Sequence, residues 1–305
     1  MDYKTFKISI MDALTDFYGK DTDIQVEEVL KNNGRRYERI LIMHNADFQK
    51  KEVVPAIYLN KLYEEYLSGN LEMEACIGMI IDSRESPYLV EEVEEFVESI
   101  TYWEKVKNSI YPILLSKEEN AELLENLVSD SFLDLSIAYI IRYSKSYEGS
   151  MNVKVTKTLF ETYGITEEEL HQQAADNLEK DGYMFYDMKD LLEDCIREEG
   201  QEECTSLSKI EDGKMYILTN ASRTYGAAGL LLKRLLKEQL GSCSCYILPS
   251  SLHETIFVPA SIEKEQPVID LMVKEVNSMQ VDLEERLANH SYYYDAQKEE
   301  IRIKA

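Results

Sequence analysis

Residues 245–258 of this chain read CYILPSSLHETIFV, and the pattern within them decides the fold class. Cys245 to Leu248 and Thr255 to Val258 are short apolar runs, and Pro249 opens the polar link between them. Short β-prone runs bounded by turn residues predict two strands. Because these strands follow each other directly, strands and helices do not alternate strictly. An α+β fold is therefore predicted rather than a doubly wound parallel sheet.

The surrounding pattern extends this pair into a larger unit. Four further elements are predicted, in chain order: a strand over Met215 to Leu218, a helix over Ala227 to Leu240 that ends at Gly241, a helix over Pro267 to Met279, and a hairpin from Tyr292 to Tyr294 and Ile301 to Ile303. The later helix has its apolar side chains on one face at Val268, Met272, Val276 and Met279. The C-terminal third is therefore a predicted β-α-β-β-α-β-β unit with short, largely antiparallel sheets.

The N-terminal part is predicted to mix helices with a hairpin. Apolar residues at three- and four-residue steps predict an amphipathic helix over residues 2–18. Asn33-Gly34 lies between two β-prone runs, as in a tight hairpin. A helical pattern opens near Pro55 and stops at Gly69, and two more helices are predicted up to about residue 100.

The middle part begins with strands and continues as helix. Residues 111–115 and 136–143 predict two strands, the second of them buried, and the periodicity over 157–199 is helical. Thr166 and Glu169 have the spacing of a capping box. We expect three regions, with the boundaries 1–100, 101–205 and 206–305.

The charge of the chain is strongly acidic and unevenly distributed. The formal net charge is −25 over 305 residues. Residues 161–204 hold fifteen Asp and Glu against Lys180, Lys189 and Arg197, a net charge of −12. Such a surface repels a phosphate backbone, so direct binding of DNA or RNA is not expected. A solvated helical face explains the acidic segment, and a docking surface for a basic protein partner is the functional alternative.

Cysteine usage and hydropathy indicate a cytoplasmic protein. The five cysteines are an odd number spread thinly over the chain, unlike a disulfide framework. No leader-like segment and no uncharged apolar stretch of about 18 residues is present, so no membrane anchor is expected. Cys243 and Cys245 are the only close thiol pair, and a structural pair is the simpler interpretation. The histidines are isolated, so no metal site and no cofactor are predicted.

A phosphate-binding loop is only weakly indicated. The link between the strand at 215–218 and the following helix has neither a Walker lysine nor G-x-G-x-x-G. Arg223 is the candidate anion contact at that helix start. The structural alternative is that Ser222 or Thr224 caps the helix, with small residues allowing close packing.

The most chemically suggestive cluster is the link quoted first. Ser250, Ser251, His253 and Glu254 supply hydroxyl, imidazole and carboxylate, the groups of nucleophilic catalysis. Neighbouring side chains on an extended segment point to opposite faces, however, and no nucleophile elbow is present. The candidate site adds two polar side chains that the fold would have to bring near, Asn220 and Asn277. Hydrogen bonding within a turn is the structural alternative.

Several runs in the chain are similar to one family. The residues concerned are Tyr216-Ile217-Leu218-Thr219-Asn220, Gly226-Ala227-Ala228, Tyr246 to Glu254 and Glu275-Val276-Asn277, together with Pro55, Tyr58, Leu59, Tyr63, Tyr66 and Gly69. They resemble an uncharacterised family of Firmicutes proteins known only as a domain of unknown function, marked by a Leu-Pro-Ser-Ser-x-His-Glu box. The resemblance covers most of the chain and implies no activity, cofactor or catalytic residue. Leu287-Ala288-Asn289-His290 departs from the usual Leu-Ser-Asp, so His290 is given no role.

Three functions follow from these patterns. The first is a non-enzymatic binding or regulatory protein that uses the acidic segment 161–204, because no coherent catalytic set is found. The second is a hydrolase-like enzyme using Ser250, Ser251 and His253. The third is an acidic factor of a mobile element that imitates nucleic acid.

Overall fold

The computed structural model describes residues 1–43, 57–85, 96–143, 151–190, 210, 213–249, 251–262 and 265–303. It divides into two compact units, residues 1–31 with 35–101 and residues 32–34 with 102–305. Each unit buries a hydrophobic core of its own. The boundary predicted at 205/206 stays a prediction.

The first unit packs helices on a small antiparallel sheet. Its elements are α1 (Tyr3–Tyr18), β1 (Asp23–Leu30), β2 (Arg36–Met43), β3 (Ile57–Tyr58), α2 (Leu59–Leu67) and α3 (Met73–Glu85). Residues 96–100 are also helical. The sheet order is β1-β2-β3, and the core gathers Phe6, Ile10 and Leu14 of α1 with apolar residues of the other elements. The predicted first helix and the hairpin are confirmed.

Local signals set the ends of these elements. The Asp2 side chain caps α1 by accepting the Thr5 amide, and Gly19 follows the helix with a φ of 84°. Asn33 and Gly34 both have positive φ, as the tight turn between β1 and β2 requires. The second predicted helix begins at Leu59. Pro55 lies outside the described residues, as does most of the predicted acidic helix before residue 100.

The second unit contains the remaining elements. Its helices are α4 (Trp103–Val106), α5 (Ala121–Leu124), α6 (Lys157–Glu161), α7 (Glu167–Leu178), α8 (Lys233–Leu240) and α9 (Gln266–Met279). Its strands are β4 (Ile110–Ser116), β5 (Ser129–Phe132), β6 (Leu135–Tyr143), β7 (Met151–Lys154), β8 (Met184–Asp187), β9 (Tyr216–Thr219), β10 (Cys245–Leu248), β11 (Thr255–Pro259), β12 (Tyr292–Asp295) and β13 (Glu300–Arg302). The α+β class is confirmed. The predicted capping box of Thr166 and Glu169 opens α7.

Two antiparallel sheets organise the second unit. The larger has the order β13-β12-β10-β11-β9-β8. In the smaller, β4 pairs with one edge of β6, and β5 and β7 pair with successive parts of β6. All these pairings are antiparallel, as the sequence predicted for the C-terminal elements.

Strand β10 shows why the CYIL run is continuously apolar. Cys245 and Ile247 face the main core of the unit, which also contains residues of the smaller sheet. Tyr246 and Leu248 face the opposite side and pack against Ile269 of α9. Successive side chains of a strand point to opposite faces, so a strand covered on both faces needs apolar residues at every position.

Three details of the sequence prediction are wrong. The helix expected over 227–240 is a 3-10 segment, Gly226–Leu231, followed by α8, because Leu232 leaves helical geometry with a ψ of 72°. Residues 184–187, expected to be helical, form β8, which pairs with β9. On α9 the buried residues are Ile269, Val273 and Asn277, whereas three of the four residues expected to share an apolar face are exposed: Val268, Met272 and Met279.

Candidate functional site

The loop that carries His253 lies beside the loop that carries Asn220, because β9 and β11 are antiparallel neighbours. Leu218 pairs with Thr255, so the residues after β9 and before β11 emerge at the same end of the sheet. A hydrogen bond from Thr219 Oγ1 to the carbonyl oxygen of His253, 2.8 Å long, joins the two loops directly. The fold therefore brings two of the predicted site residues into one neighbourhood.

The imidazole of His253 has both nitrogens directed at protein groups. Nδ1 accepts a hydrogen bond from the backbone N–H of Tyr225 at 3.2 Å. Nε2 lies 3.4 Å from Oε1 of Glu285, and the side chain is 31% exposed. Since Nδ1 accepts, the neutral ring carries its hydrogen on Nε2, which faces the carboxylate.

This geometry bears on the catalytic hypothesis. A general base needs a free lone pair within reach of the nucleophile. Here the Nδ1 lone pair faces an amide of the main chain. Ser251 Oγ accepts a hydrogen bond from the backbone N–H of His253 at 3.0 Å. This contact is to the main chain and not to the imidazole ring. Ser250 lies outside the described residues. The hydrogen bond between His253 and the Tyr225 amide therefore joins the loop before β11 to the loop after β9.

Asn220 is fully buried and uses its amide to close its own loop. Oδ1 accepts the Thr224 amide and the Ser222 hydroxyl, and Nδ2 donates to the Thr224 carbonyl. Nδ2 also donates to Asp181 at 2.8 Å, and the other oxygen of Asp181 is 2.6 Å from Nη1 of Arg142. Both charged side chains are largely buried, at 14% and 11% exposure. Asn220 therefore adds a hydrogen bond to the buried ion pair of Arg142 and Asp181.

Tyr225 and Gly226 connect this network to His253. Tyr225 has a φ of 54° and precedes the 3-10 segment, and neither Ser222 nor Thr224 caps that segment. A Cβ at Gly226 would meet the His253 carbonyl and Thr219, so the expected close packing of small residues is confirmed. Burial, together with the nearby carboxylates of Glu284 and Glu285, raises the pKa of Tyr225.

The remaining candidate residues are placed differently. Arg223 is exposed, and its backbone N–H donates to Asn220. The amides of Ala227 and Ala228, at the start of the 3-10 segment, already donate to backbone carbonyls. Glu254 is exposed. Asn277 is buried in α9 and donates to the Ala288 carbonyl and to Asn289, and no hydrogen bond among the described residues joins it to the His253 loop.

A second histidine makes a stronger contact with a carboxylate than His253 does. His290 Nε2 lies 2.7 Å from Oδ2 of Asp134, and Nδ1 lies 3.2 Å from the carbonyl oxygen of Ser291. Partial burial lowers the pKa of His290, but the hydrogen bonds to these two acceptors outweigh it and raise the pKa above its ordinary value. Burial raises the pKa of Asp134, and the hydrogen bonds from Tyr292 and His290 more than reverse this.

A cleft of about 360 Å³ lies between α7 and the smaller sheet. Its floor is the sheet face, where Pro112 of β4 pairs with Tyr139 of β6 and Ile137 lies two residues away. Leu231 and Leu232 form a further apolar wall. His171 of α7 also lines the cleft, and its ring is stacked on that of Tyr139 at a centroid distance of 5.2 Å.

The cleft also contains three exposed carboxylates, and we call it the acidic cleft. They belong to Asp130, beside the floor, and to Asp176 and Glu179, at the C-terminal end of α7. Arg234 lies 3.1 Å from Glu179, and both side chains are exposed. Within the described ranges, neither Asp130 nor Asp176 forms an ion pair. The cleft is therefore apolar at its base and has uncompensated negative charge.

A family model covers almost the whole chain. The model of a family of unknown function, DUF5688, matches residues 3–296. The chain belongs to this family. No curated protein and no solved structure matches it. The Leu-Pro-Ser-Ser-x-His-Glu box as the mark of the DUF5688 family, and a Firmicutes origin, stay predictions.

In the part that the structure describes, no group of three or more His, Cys, Asp or Glu side chains is placed to hold a metal ion. Cys243 and Cys245 form no disulfide, and their sulfurs are 3.7 Å apart. Among the same residues, no helix is long and apolar enough to cross a bilayer.

Several residues of the candidate site in this DUF5688 chain are not indicated by its sequence. Arg142, Asp181, Tyr225 and Glu285 were not among the candidates, since each reaches the site through tertiary pairing and carries no local motif. The acidic cleft was indicated only by the density of Asp and Glu over 161–204. Nothing in the sequence pairs that segment with Asp130, which approaches from β5.

Proposed function

We propose that this protein is a non-enzymatic binding protein that docks a basic protein partner on its acid-rich middle region. One observation carries the proposal: α7, in the acidic segment, forms the wall of a cleft that joins an apolar floor to unpaired carboxylates. Clefts of roughly 300–1,000 Å³ with a few polar groups are typical of binding sites. Complementary charge steers a basic partner to such a surface and selects against acidic ones.

The hydrolase alternative receives less support. His253 Nδ1 is directed at the Tyr225 amide, and Ser251 Oγ is directed at a backbone N–H. A nucleophile would have to displace one of these hydrogen bonds before His253 acted as a base. The acidic mimic of nucleic acid uses the same charge as the binding proposal but does not explain an apolar floor.

The cytoplasm is the compartment we propose. The three cysteines within the described residues, Cys76, Cys243 and Cys245, form no disulfide. The sulfurs of Cys243 and Cys245 are 3.7 Å apart without a disulfide bond, and cysteines stay reduced in a reducing compartment.

Affinity capture from a native lysate of the source organism tests the binding proposal. The bait is the full chain, compared with a variant in which Glu167 and Glu168 are replaced by Gln and Asp176 by Asn. Glu169 is left unchanged because it closes the capping box of α7. We expect a stoichiometric basic protein with the wild type, and its loss with the variant and at about 1 M salt. Equal recovery by both baits, or no specific protein, contradicts the proposal.

A further inference from the structure

We propose that the acidic cleft takes one arginine or lysine side chain of the protein partner, with an apolar neighbour beside it. The inference rests on the proposed function and specifies what enters the cleft. The methylene stem would lie on the floor formed by Pro112, Ile137 and Tyr139, and the cationic head would lie between Asp130 and Asp176, next to Glu179 at the rim.

Charge complementarity selects a cation. Of the three carboxylates in the cleft, Glu179 alone has a basic partner within the described residues. The Asp176 carboxylate accepts a hydrogen bond from Gln172, and the Asp130 carboxylate accepts one from the Ser131 amide. Both hydrogen bonds come from neutral donors, so the two negative charges remain uncompensated. An anionic or neutral polar group entering the cleft would not compensate the charges of Asp130 and Asp176.

The chain itself shows that a guanidinium fits at this rim. Arg234, just after the leucines of the cleft wall, lies with Nη2 3.1 Å from Oε2 of Glu179. The side chain of Arg234 is 74% exposed. Exposed ion pairs contribute little to stability, so an incoming cation can compete for this carboxylate. Arg234 is thus an internal competitor at the edge of the cleft.

The apolar floor favours a side chain over an inorganic cation. Arginine and lysine place their methylene stems on apolar surface while the charged head stays with polar groups. The stacked rings of Tyr139 and His171 also line the cleft and add to its apolar surface. A volume of about 360 Å³ suits one long side chain and part of a neighbour, at the lower end of the range for ligand sites.

Calorimetric titration with short capped peptides tests the inference on the full chain. The probes are acetyl-Leu-Arg-Leu-amide, its lysine analogue, and a citrulline analogue that keeps the shape of arginine without its charge. We expect the arginine and lysine peptides to bind. The citrulline peptide should bind about tenfold more weakly, because it loses the attraction of two exposed carboxylates at once. Equal binding of all three overturns the inference.

Matched variants separate the cleft from the acidic surface around it. Asp130→Asn with Asp176→Asn removes two charges inside the cleft. Glu161→Gln with Glu168→Gln removes two exposed charges of the acidic segment outside it. We expect the first pair to weaken arginine-peptide binding about tenfold and the second to change it less than about twofold. Equal weakening overturns the inference but leaves the proposed function standing. Failure of every basic peptide to bind, together with an empty lysate capture, overturns both.

Arg234→Gln provides a test that does not depend on weakening the site. Removing the internal competitor frees Glu179 and should tighten peptide binding by on the order of threefold. Lys233→Gln is the control, because it removes the same charge at the neighbouring exposed position. A gain with Arg234→Gln alone supports the inference. Equal effects of both variants, or no gain, overturns the placement of the cation at this rim.

Discussion

Oδ2 of Asp134 lies 2.7 Å from Nε2 of His290, although the two residues are 156 positions apart in the chain. Nδ1 of the same ring faces the carbonyl oxygen of Ser291. Two acceptors around one imidazole favour the doubly protonated form, since each nitrogen then has a hydrogen to donate. This contact joins the turn after β5 to the start of β12.

The first prediction concerns the pH dependence of that contact. The pKa of His290 is raised in the folded state, so its stabilisation is complete below about pH 6.5 and is lost as pH rises through the raised pKa. The pKa of Asp134 is lowered, so its contribution is lost only as pH falls below about 4. His290→Gln should therefore reduce the free energy of unfolding by roughly 1 kcal/mol at pH 6 and by less at pH 9.

Urea unfolding of wild type and variant at both pH values measures the difference directly. The comparison between variant and wild type cancels the titration of other groups. A loss of stability that is equal at pH 6 and pH 9 would show that the imidazolium does not stabilise this contact.

The second prediction concerns the buried ion pair of Arg142 and Asp181. Asp181→Asn leaves the Arg142 guanidinium without a countercharge at 14% exposure. Breaking a buried pair from one side costs about 3 kcal/mol. Arg142→Met together with Asp181→Leu removes both charges and should cost less than the sum of the single variants. Urea unfolding of wild type, Arg142→Met, Asp181→Leu and the double variant gives the coupling energy, and a value near zero would contradict the pairing.

The third prediction assigns His253 a structural role. His253→Asn keeps an acceptor near the position of Nδ1 for the Tyr225 amide, whereas His253→Leu leaves that amide unsatisfied. We expect the leucine variant to lose about 1 kcal/mol of unfolding free energy more than the asparagine variant. Hydrogen exchange of the Tyr225 amide should speed up in the leucine variant alone. Equal stability and exchange in the two variants would argue against the hydrogen bond from the Tyr225 amide to His253 Nδ1.

The fourth prediction concerns two glycines. A Cβ at Gly226 would collide with the His253 carbonyl and the Thr219 side chain, so Gly226→Ala should destabilise the protein by about 1–3 kcal/mol. Gly78 in α3 has open space around it and an ordinary φ, so Gly78→Ala should stabilise the protein by roughly 0.5–1 kcal/mol. Thermal unfolding should thus shift in opposite directions for the two substitutions.

The elements that the sequence predicts well have local causes. Asp2 and Gly19 bound α1, Thr166 and Glu169 open α7, and Asn33-Gly34 turns the first hairpin. Each signal acts within a few residues. The break at Leu232 has no such signal, because Ala227 to Leu240 contains residues that a continuous helix also accepts. Gly226, at the start of the 3-10 segment, packs closely against the His253 loop, and that contact is tertiary.

The candidate site likewise contains residues that the sequence identifies and partners that it does not. Asn220 and His253 stood out because of residue type and a strand–turn pattern, and antiparallel pairing brings their loops together. The partners that define their roles, Tyr225 and Asp181, act through a backbone amide and a buried charge. Neither group leaves a pattern in sequence. For α9, apolar residues occur on two faces, so periodicity alone did not identify the face that packs.

Strand β8 has a consequence for producing pieces of this protein. It belongs to the acid-rich middle region by sequence, yet it completes the edge of the six-stranded sheet by pairing with β9. A fragment that begins at residue 206 would leave the hydrogen-bonding groups of β9 open to another chain, and open edges promote aggregation. Recombinant fragments intended to keep this sheet intact should therefore begin upstream of Met184.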